Sequence, residues 1–256
     1  MREHLRVDDI DGVRTITIDR PEVKNALTRS MRDGLCAIVG EAEHDTAIRV
    51  LVLTAVDPVF SAGVDFKEVA SVAGASATPS DAQFSNNPGR ALRALSKPVI
   101  CAVNGACVSG ALEIALSSTF IVASERARFA DTHARLGVVA TWGLTALLPR
   151  AVGVRKAAEM SITGNFVDAD EALRIGLVNH VVRHDELVPF TVKIANGVAT
   201  TGAVAEVLSL YQRGEGTSLA DALVLEAEHT RHRPFDPAAF GAAGKEAAER
   251  AGRATA

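Results

Sequence analysis

Residues 104–113, NGACVSGALE, give the strongest indication of how this chain is organised. Residues 60–65, FSAGVD, have the same character, because each segment ends an apolar run in small residues and precedes a helix-like stretch. Small residues let a ligand approach the backbone closely, and a helix N-terminus offers unpaired N–H groups at the positive end of its dipole. Two such ends that converge on one carbonyl oxygen would form an oxyanion hole, with Glu113 beside it as an acid or base.

The bulk composition is that of an ordinary soluble globular protein, with 48% hydrophobic and 23% charged residues. A length of 256 residues suits one large domain with a small appendage. The net charge of −4 gives no sign of nucleic-acid binding, and no segment has the pattern of a secretory signal or a membrane span. Three cysteines without metal-type spacing favour a reduced, cytoplasmic setting. We expect no metal site, and surface positions for His180, His184, His229 and His232.

Strands and helices alternate along residues 13–182, which predicts the α/β class. The apolar pattern predicts strands at residues 13–19, 49–55, 99–103, 120–123 and 178–182. It predicts helices at residues 29–44 (with Thr28 as the N-cap), 65–72, 89–96, 110–117, 143–151, 155–163 and 168–176. Residues 73–88 are rich in Ala, Ser, Pro and Asn and are expected to form a mobile loop. From residue 185 onward the pattern is helical only, so we expect a core at residues 1–195 and a helical region at 196–256.

These segments resemble the enoyl-CoA hydratase/isomerase (crotonase) superfamily over about residues 10–185. A single AGxD motif is common by chance, whereas a set of motifs in the family's order is specific. The ordered pieces are RPEVKNAL at 20–27, FSAGVD at 60–65, KPVICAVNG at 97–105, Glu113, GLT at 143–145, Gly164, residues 169–172 and GLV at 176–178. The resemblance implies a spiral of ββα units with a C-terminal α-helical trimerisation region, in a homotrimer or homohexamer.

The resemblance also implies a binding site for an acyl-CoA thioester, with no separate cofactor because coenzyme A is part of the substrate. The oxyanion-hole donors would be the backbone N–H groups of Ala62 and Gly110. Asp65 is more typical of a helix cap than of a catalyst, and Trp142 is either a packing residue or part of the acyl pocket. The candidate substrate-binding residues are Lys24, Ala26, Ala62, Gly63, Val64, Asp65, Gly110 and Trp142.

Hydratases of this superfamily place two glutamates around one water, and the first of them matches Glu113. The segment expected to hold the second reads DTHARLG at residues 131–137, so His133 occupies that place. Because histidine exchanges a proton near neutral pH, we expect Glu113 to act as the base toward water while His133 orients the water or protonates Cα. The alternatives are that Glu113 only caps its own helix and that His133 is a structural residue in a surface charge cluster with Asp131 and Arg135.

The leading hypothesis is therefore an enzyme, an enoyl-CoA hydratase (a carbon–oxygen lyase) that adds water to a 2-trans-enoyl-CoA, as in fatty-acid β-oxidation. The alternatives are another enolate-forming acyl-CoA reaction (isomerisation, decarboxylation or thioester hydrolysis) and acyl-CoA binding without catalysis. Isomerisation is disfavoured because the family's isomerases rely on the second carboxylate. A hydrolytic Ser109–His133 pair is disfavoured because nothing in the sequence brings the two together. We expect neither a nucleic acid nor a membrane as a partner.

Overall fold

The computed structural model describes residues 3–68, 87–231 and 233–254. The strands are β1 (Leu5–Ile10), β2 (Val13–Ile18), β3 (Val50–Ala55), β4 (Val99–Val103), β5 (Ala106–Val108), β6 (Phe120–Ser124), β7 (Arg128–Ala130), β8 (Val167–Asp168) and β9 (His180–Val182). The helices are α1 (Arg29–His44), α2 (Pro88–Ala94), α3 (Gly110–Leu116), α4 (Leu144–Val152), α5 (Val154–Thr163), α6 (Ala169–Arg174), α7 (Leu187–Asn196), α8 (Ala203–Gly214), α9 (Leu219–Arg231) and α10 (Pro237–Ala254). The predicted α/β class is confirmed.

A six-stranded sheet in the order β1-β2-β3-β4-β6-β9 forms the frame of the molecule. All neighbouring strands from β2 onward are parallel, and β1 alone pairs in the antiparallel sense. A smaller sheet has the order β5-β7-β8, with β5 and β7 parallel. The carboxyl ends of β5 and β7 therefore lie side by side, and the chain continues from them into the segments that hold Glu113 and His133.

The first hairpin was not predicted from the sequence. Strand β1 joins β2 through Asp11 and Gly12, which have φ values of 51° and 78°. An Asp-Gly pair with two positive φ angles fits the tight turn that suits the right-handed twist of paired strands. The Asp-Gly dipeptide between two apolar segments was the signal for this hairpin.

The interior is aliphatic, as the low aromatic content requires. Every residue of β3 and β4 is buried, which is typical of parallel strands covered on both faces. Helix α1 packs Met31, Leu35 and Ile38 into the main core on one face of the sheet. Helix α7 contributes Leu187 to a smaller cluster on the other face. Full burial of each such side chain stabilises the fold by about 1.5–3 kcal/mol. The sheet is therefore a stable support for the loops at its edge.

Two predicted helix caps are confirmed. The Thr28 hydroxyl accepts a hydrogen bond from the N–H of Met31 at 3.2 Å, at the start of α1. The Asp65 carboxylate accepts from the N–H groups of Lys67 at 2.9 Å and Glu68 at 3.4 Å, where residues 66–68 are helical. The remainder of the helix predicted at residues 65–72, and residues 73–86 of the predicted loop, lie outside the described residues.

The chain separates into two compact units, Met1–Leu208 and Ser209–Ala256. The boundary between them falls within α8, later than the boundary after residue 195 that the sequence suggested. In the described part of the second unit, all regular structure is helical, as expected for the C-terminal region. None of the described helices combines the length and apolar character needed to cross a membrane.

Candidate active site

Glu113 is held inside the first unit by backbone groups at and just before the start of another helix. Only 2% of its surface is exposed, and its Oε1 accepts hydrogen bonds from the N–H groups of Trp142 at 2.6 Å and Leu144 at 3.3 Å. Leu144 is the first residue of α4, so the carboxylate caps the N-terminus of that helix and not of its own. The alternative that Glu113 only caps α3 is therefore wrong. Because Oε1 is occupied, Oε2 is the oxygen that faces the site.

His133 lies opposite this second oxygen. Its Nε2 is 3.6 Å from Glu113 Oε2, and its Nδ1 is 2.6 Å from Asp131 Oδ1. Asp131 is buried, and it accepts a hydrogen bond from the backbone N–H of His133 at 3.1 Å as well. The alternative that His133 belongs to a surface charge cluster is therefore wrong. Sequence reasoning placed Asp131 in that surface cluster, although an Asp two residues before a His was a signal for a carboxylate–imidazole pair.

The three ionisable groups influence one another. Burial raises the pKa of Glu113, and the two backbone N–H groups and the neighbouring His133 only partly offset this effect. Burial by itself would lower the pKa of His133, but the hydrogen bond to Asp131 and the charges of Glu113 and Asp131 raise it overall. Burial opposes the charge on Asp131, yet hydrogen bonds from His133 and Ser161 lower its pKa. Asp131 is therefore ionised at neutral pH, and Glu113 and His133 are the two groups of the three whose pKa values are raised.

The turn before α3 is strained and tied down. Ser109 has a φ of 49°, a backbone angle that residues other than glycine rarely adopt. Such a conformation costs about 1–3 kcal/mol. Its N–H donates to the carbonyl of Ala130 at 2.9 Å, and its hydroxyl accepts from the N–H of Thr132 at 2.9 Å. These contacts fix the direction of the next N–H, that of Gly110, at the first helical position, where no intrahelical acceptor exists. The Ser109 hydroxyl bonds Thr132 and not His133, which agrees with the argument against a hydrolytic Ser–His pair.

The structure corrects the prediction for Ala62. Its N–H donates to the carbonyl of Lys24 at 3.0 Å, so this group is not available to a ligand. Residues 24–27 run beside residues 62–65, and Leu27 pairs with Val64 through bonds of its own N–H and C=O to Gly63 and Asp65. The N–H of Val64 therefore points away from Leu27, and among the described residues it donates no hydrogen bond.

Val64 and Gly110 are brought together by two glycines that leave no room for a side chain. A Cβ added to Gly63, which has φ +90°, would lie 2.9 Å from the carbonyl oxygen of Val108 and 3.4 Å from the Gly110 nitrogen. A Cβ added to Gly110 would lie 3.4 Å from Val64 Cγ2 and 3.0 Å from the Trp142 ring. Two N–H groups, those of Val64 and Gly110, thus belong to backbones in close approach beside Glu113.

Asp65 and Lys24, two further candidate substrate-binding residues, differ in their contacts. Asp65 accepts from Arg20 at 2.6 Å in addition to capping the helical residues after it, so its carboxylate is committed to structure. The Arg20 guanidinium also donates to the Ala26 carbonyl at 3.0 Å, and the Lys24 side chain is exposed. Arg20 was missed by sequence reasoning, because an arginine before a proline gives no sign of distant partners.

Trp142 borders the site from the side of α1. Its N–H bonds Glu113, its ring lies against Gly110, and the Arg32 guanidinium lies 5.6 Å from the ring centroid. Burial lowers the pKa of Arg32, and the charge of Glu68 partly offsets this effect. Within the described residues, no group of three or more His, Cys, Asp or Glu side chains has an arrangement suited to a metal ion.

The sequence of this chain matches a model of a known protein family. Residues 9–234 match the model described as enoyl-CoA hydratase/isomerase. The chain belongs to this family. The match covers the paired segments 24–27 and 62–65, both glycine turns and the Glu113–His133 pair, which all lie within residues 9–234.

Individual relatives agree with this assignment. The chain is 37% identical over 222 residues to a short-chain-enoyl-CoA hydratase of Clostridium acetobutylicum, with 84% of each chain covered. It is 33% identical over 229 residues to a crotonyl-CoA hydratase of Syntrophomonas wolfei, with 88% of each covered. Among solved structures, an enoyl-CoA hydratase from Mycobacterium smegmatis is 41% identical, with a TM-score of 0.72, and the match covers 89% of this chain and 96% of that one. The expected crotonase-type fold is thereby confirmed.

One histidine expected at the surface is instead an internal link. Only 17% of the His184 side chain is exposed. Its Nδ1 lies 3.0 Å from the hydroxyl of Ser124, and its Nε2 lies 3.0 Å from Asp57 Oδ2. His184 therefore joins the ends of two strands of the large sheet to the loop after β3. His180 is exposed, as expected, and His232 lies outside the described residues.

Proposed function

We propose that this chain is an enoyl-CoA hydratase, which adds water across the double bond of a 2-trans-enoyl-CoA. The observation that carries the proposal is the 3.6 Å approach of His133 Nε2 to Glu113 Oε2, beside the N–H of Gly110 at the first helical position of α3, where the helix offers it no acceptor. The named hydratases among its relatives support the same reaction. As in those relatives' family, coenzyme A is part of the substrate, and we infer no separate cofactor.

The oxyanion hole is the first part of the mechanism. We assign its two donors as the N–H groups of Val64 and Gly110, with Val64 in place of Ala62. When water adds at Cβ, the electron pair of the double bond moves to the thioester oxygen and forms an enolate. Two fixed N–H groups stabilise that charge without reorganisation, and the loss of one such donor typically costs about 3–4 kcal/mol of transition-state stabilisation.

Proton transfer is the second part. Glu113 Oε2 takes one proton from the water as its oxygen bonds to Cβ, and the imidazolium of His133 gives its Nε2 proton to Cα as the enolate collapses. Glu113 is then protonated and His133 neutral. A proton that returns from Oε2 to Nε2 across the 3.6 Å gap restores both groups for the next turnover.

The surroundings of the site suggest where the rest of the substrate lies. We place the coenzyme A portion along residues 24–26 and 62–65, near the exposed Lys24, and the acyl chain near Trp142. We further propose a role in acyl-CoA and fatty-acid metabolism and a homotrimer or homohexamer, as the resemblance of the sequence to the crotonase superfamily implies. We also propose a cytoplasmic location, which three cysteines without metal-type spacing favour.

The test is the loss of conjugated-enoyl absorbance when the protein meets crotonyl-CoA and a longer 2-enoyl-CoA, with free thiol measured in parallel. We expect rapid loss of absorbance without release of free coenzyme A. Glu113→Gln should lower turnover about 10²- to 10⁴-fold, because the amide can still accept from the Trp142 and Leu144 N–H groups but cannot take a proton. Release of free thiol would instead indicate thioester hydrolysis, and binding without any change would indicate an acyl-CoA binder.

A further inference from the structure

Asp131 is a buried carboxylate that contacts both the ring and the backbone of His133. It follows β7 directly, only 3% of its surface is exposed, and its Oδ1 lies 2.6 Å from His133 Nδ1 and 3.1 Å from the His133 backbone nitrogen. The hydroxyl of Ser161, from α5, is a further partner of this carboxylate. A buried carboxylate that accepts from several donors is itself held in place.

These contacts decide which nitrogen of the imidazole carries a proton. An ionised carboxylate is an acceptor only, so the ring nitrogen that faces it must be the N–H. Nδ1 therefore keeps its proton, and Nε2 is the nitrogen that can gain or lose one. Nε2 is also the nitrogen that faces Glu113, so the exchangeable proton is directed into the site.

We propose that Asp131 is a positioning residue that keeps one proton of His133 on Nδ1 and directs all proton exchange of this imidazole through Nε2. The proposal rests on the proposed hydration reaction and adds to it a third residue, which touches neither water nor substrate. A carboxylate that orients a histidine in this way also makes the other nitrogen more basic. Asp131 thus lets a histidine serve at a position where the family's hydratases carry a carboxylic acid.

The charged groups around His133 support this role. Two carboxylates face the ring, Asp131 at Nδ1 and Glu113 at Nε2, and both favour the imidazolium over the neutral ring. The other neighbour of Asp131 is the neutral hydroxyl of Ser161. Removal of the Asp131 charge should therefore lower the pKa of His133 and leave Glu113 as the carboxylate that still favours the imidazolium.

The experiment compares Asp131→Asn with Asp131→Ala. The asparagine keeps an oxygen that accepts from Nδ1 and from the backbone N–H but loses the charge, whereas alanine loses both. We expect Asp131→Asn to lower kcat about 10- to 100-fold with KM little changed. We also expect it to move the alkaline limb of the kcat profile to lower pH. Asp170→Asn, an exposed aspartate in the first turn of α6, is the matched control.

A second readout does not depend on activity. Nitrogen-15 NMR of the labelled protein reports the tautomer and the titration of His133. We expect the Nδ1–H form in the wild-type protein and in Asp131→Asn, titration at lower pH in Asp131→Asn, and a mixture of tautomers in Asp131→Ala. Unchanged titration of His133 in Asp131→Asn would overturn the proposal. If the wild-type protein hydrates no enoyl-CoA, the proposed function fails, and the NMR titration still decides the role of Asp131.

Discussion

Two histidines of this chain have almost the same degree of burial and an aspartate as a partner, yet their second nitrogens differ. The His133 and His184 side chains are 15% and 17% exposed, and each has a ring nitrogen within 3.0 Å of an Asp oxygen. The second nitrogen of His184 bonds the Ser124 hydroxyl at 3.0 Å, whereas that of His133 lies 3.6 Å from a buried carboxylate. Both histidines are therefore buried to a similar degree and have an aspartate partner. They differ in the second ring nitrogen, which is hydrogen-bonded in His184 and faces the Glu113 carboxylate in His133, so His133 is the histidine placed to exchange protons.

The strongest way to separate the two histidines is to remove each side chain. His133→Ala should lower hydration about 10²-fold, because it removes the group that protonates Cα. His184→Ala should leave hydration unchanged and lower the free energy of unfolding by about 1–2 kcal/mol, since it removes the hydrogen bonds of this ring to Ser124 and Asp57. Steady-state kinetics and urea denaturation of both variants measure the two effects. A loss of activity in His184→Ala equal to that in His133→Ala would remove the distinction.

Two glycines, one beside Glu113 and one beside the loop that His184 contacts, test the same difference between the catalytic site and the structural link. Gly110→Ala would place a methyl group 3.0 Å from the Trp142 ring, so we expect a shifted ring and about a 10- to 100-fold loss of kcat. Gly105→Ala would place one 2.5 Å from the Pro58 carbonyl oxygen, next to the loop that holds Asp57. That variant should lose about 1–3 kcal/mol of stability while the folded fraction keeps its activity. Activity per folded molecule, with thermal unfolding alongside, checks this pair, and full activity in Gly110→Ala would contradict it.

The pH dependence of hydration should report the Glu113–His133 pair. The active form needs an ionised Glu113 and a protonated His133. Both have raised pKa values, Glu113 through burial, and His133 because the Asp131 bond and the two carboxylate charges outweigh burial. Turnover should therefore rise as Glu113 ionises, above its ordinary range, and fall again, about tenfold per pH unit, once His133 deprotonates above its ordinary range. The two limbs belong to the coupled pair and not to either residue alone. A kcat profile that stays flat at alkaline pH would argue against an imidazolium acid.

The smallest effect is expected at Asp57. The hydrogen bonds from Asn104 and His184 lower the pKa of this carboxyl, in spite of some burial. A lowered pKa stabilises the fold above the unfolded-state pKa, and that contribution is lost as the pH falls through the folded-state value. Because the side chain is 61% exposed, Asp57→Asn should cost under about 1 kcal/mol at neutral pH. Its unfolding free energy should also depend less on pH under acidic conditions, and urea titrations at several pH values measure this.

The sequence predicted the main elements of the fold because their signals are local. Thr28 before an apolar period of 3.6, and the continuous aliphatic segment that became β3, identify a helix and a buried strand without tertiary information. The antiparallel strand β1 was missed although its Asp-Gly turn is also local. The pairing order of the large sheet depends on contacts between distant segments, and the sequence did not predict it. The resemblance to a family implied only a spiral of ββα units.

The candidate site was predicted only in part, for the same reason. Glu113 and His133 were expected together because the resemblance implies two acids around one water, and the structure brings Nε2 and Oε2 to 3.6 Å. The choice between Ala62 and Val64 depends on which N–H faces Lys24, a question of strand direction that composition does not answer. The burial of Asp131 and the internal position of His184 likewise depend on packing against distant elements and not on neighbouring residues.

The central claim is that Glu113 and His133 act as one unit on a single water molecule. The most direct test is to measure crotonyl-CoA hydration by Glu113→Gln, His133→Ala and the double variant under one set of conditions. If the two residues share one proton-transfer sequence, the double variant should be no slower than the slower single variant, to within about twofold. A loss in the double variant equal to the product of the two single losses would show that they act independently and would contradict the account.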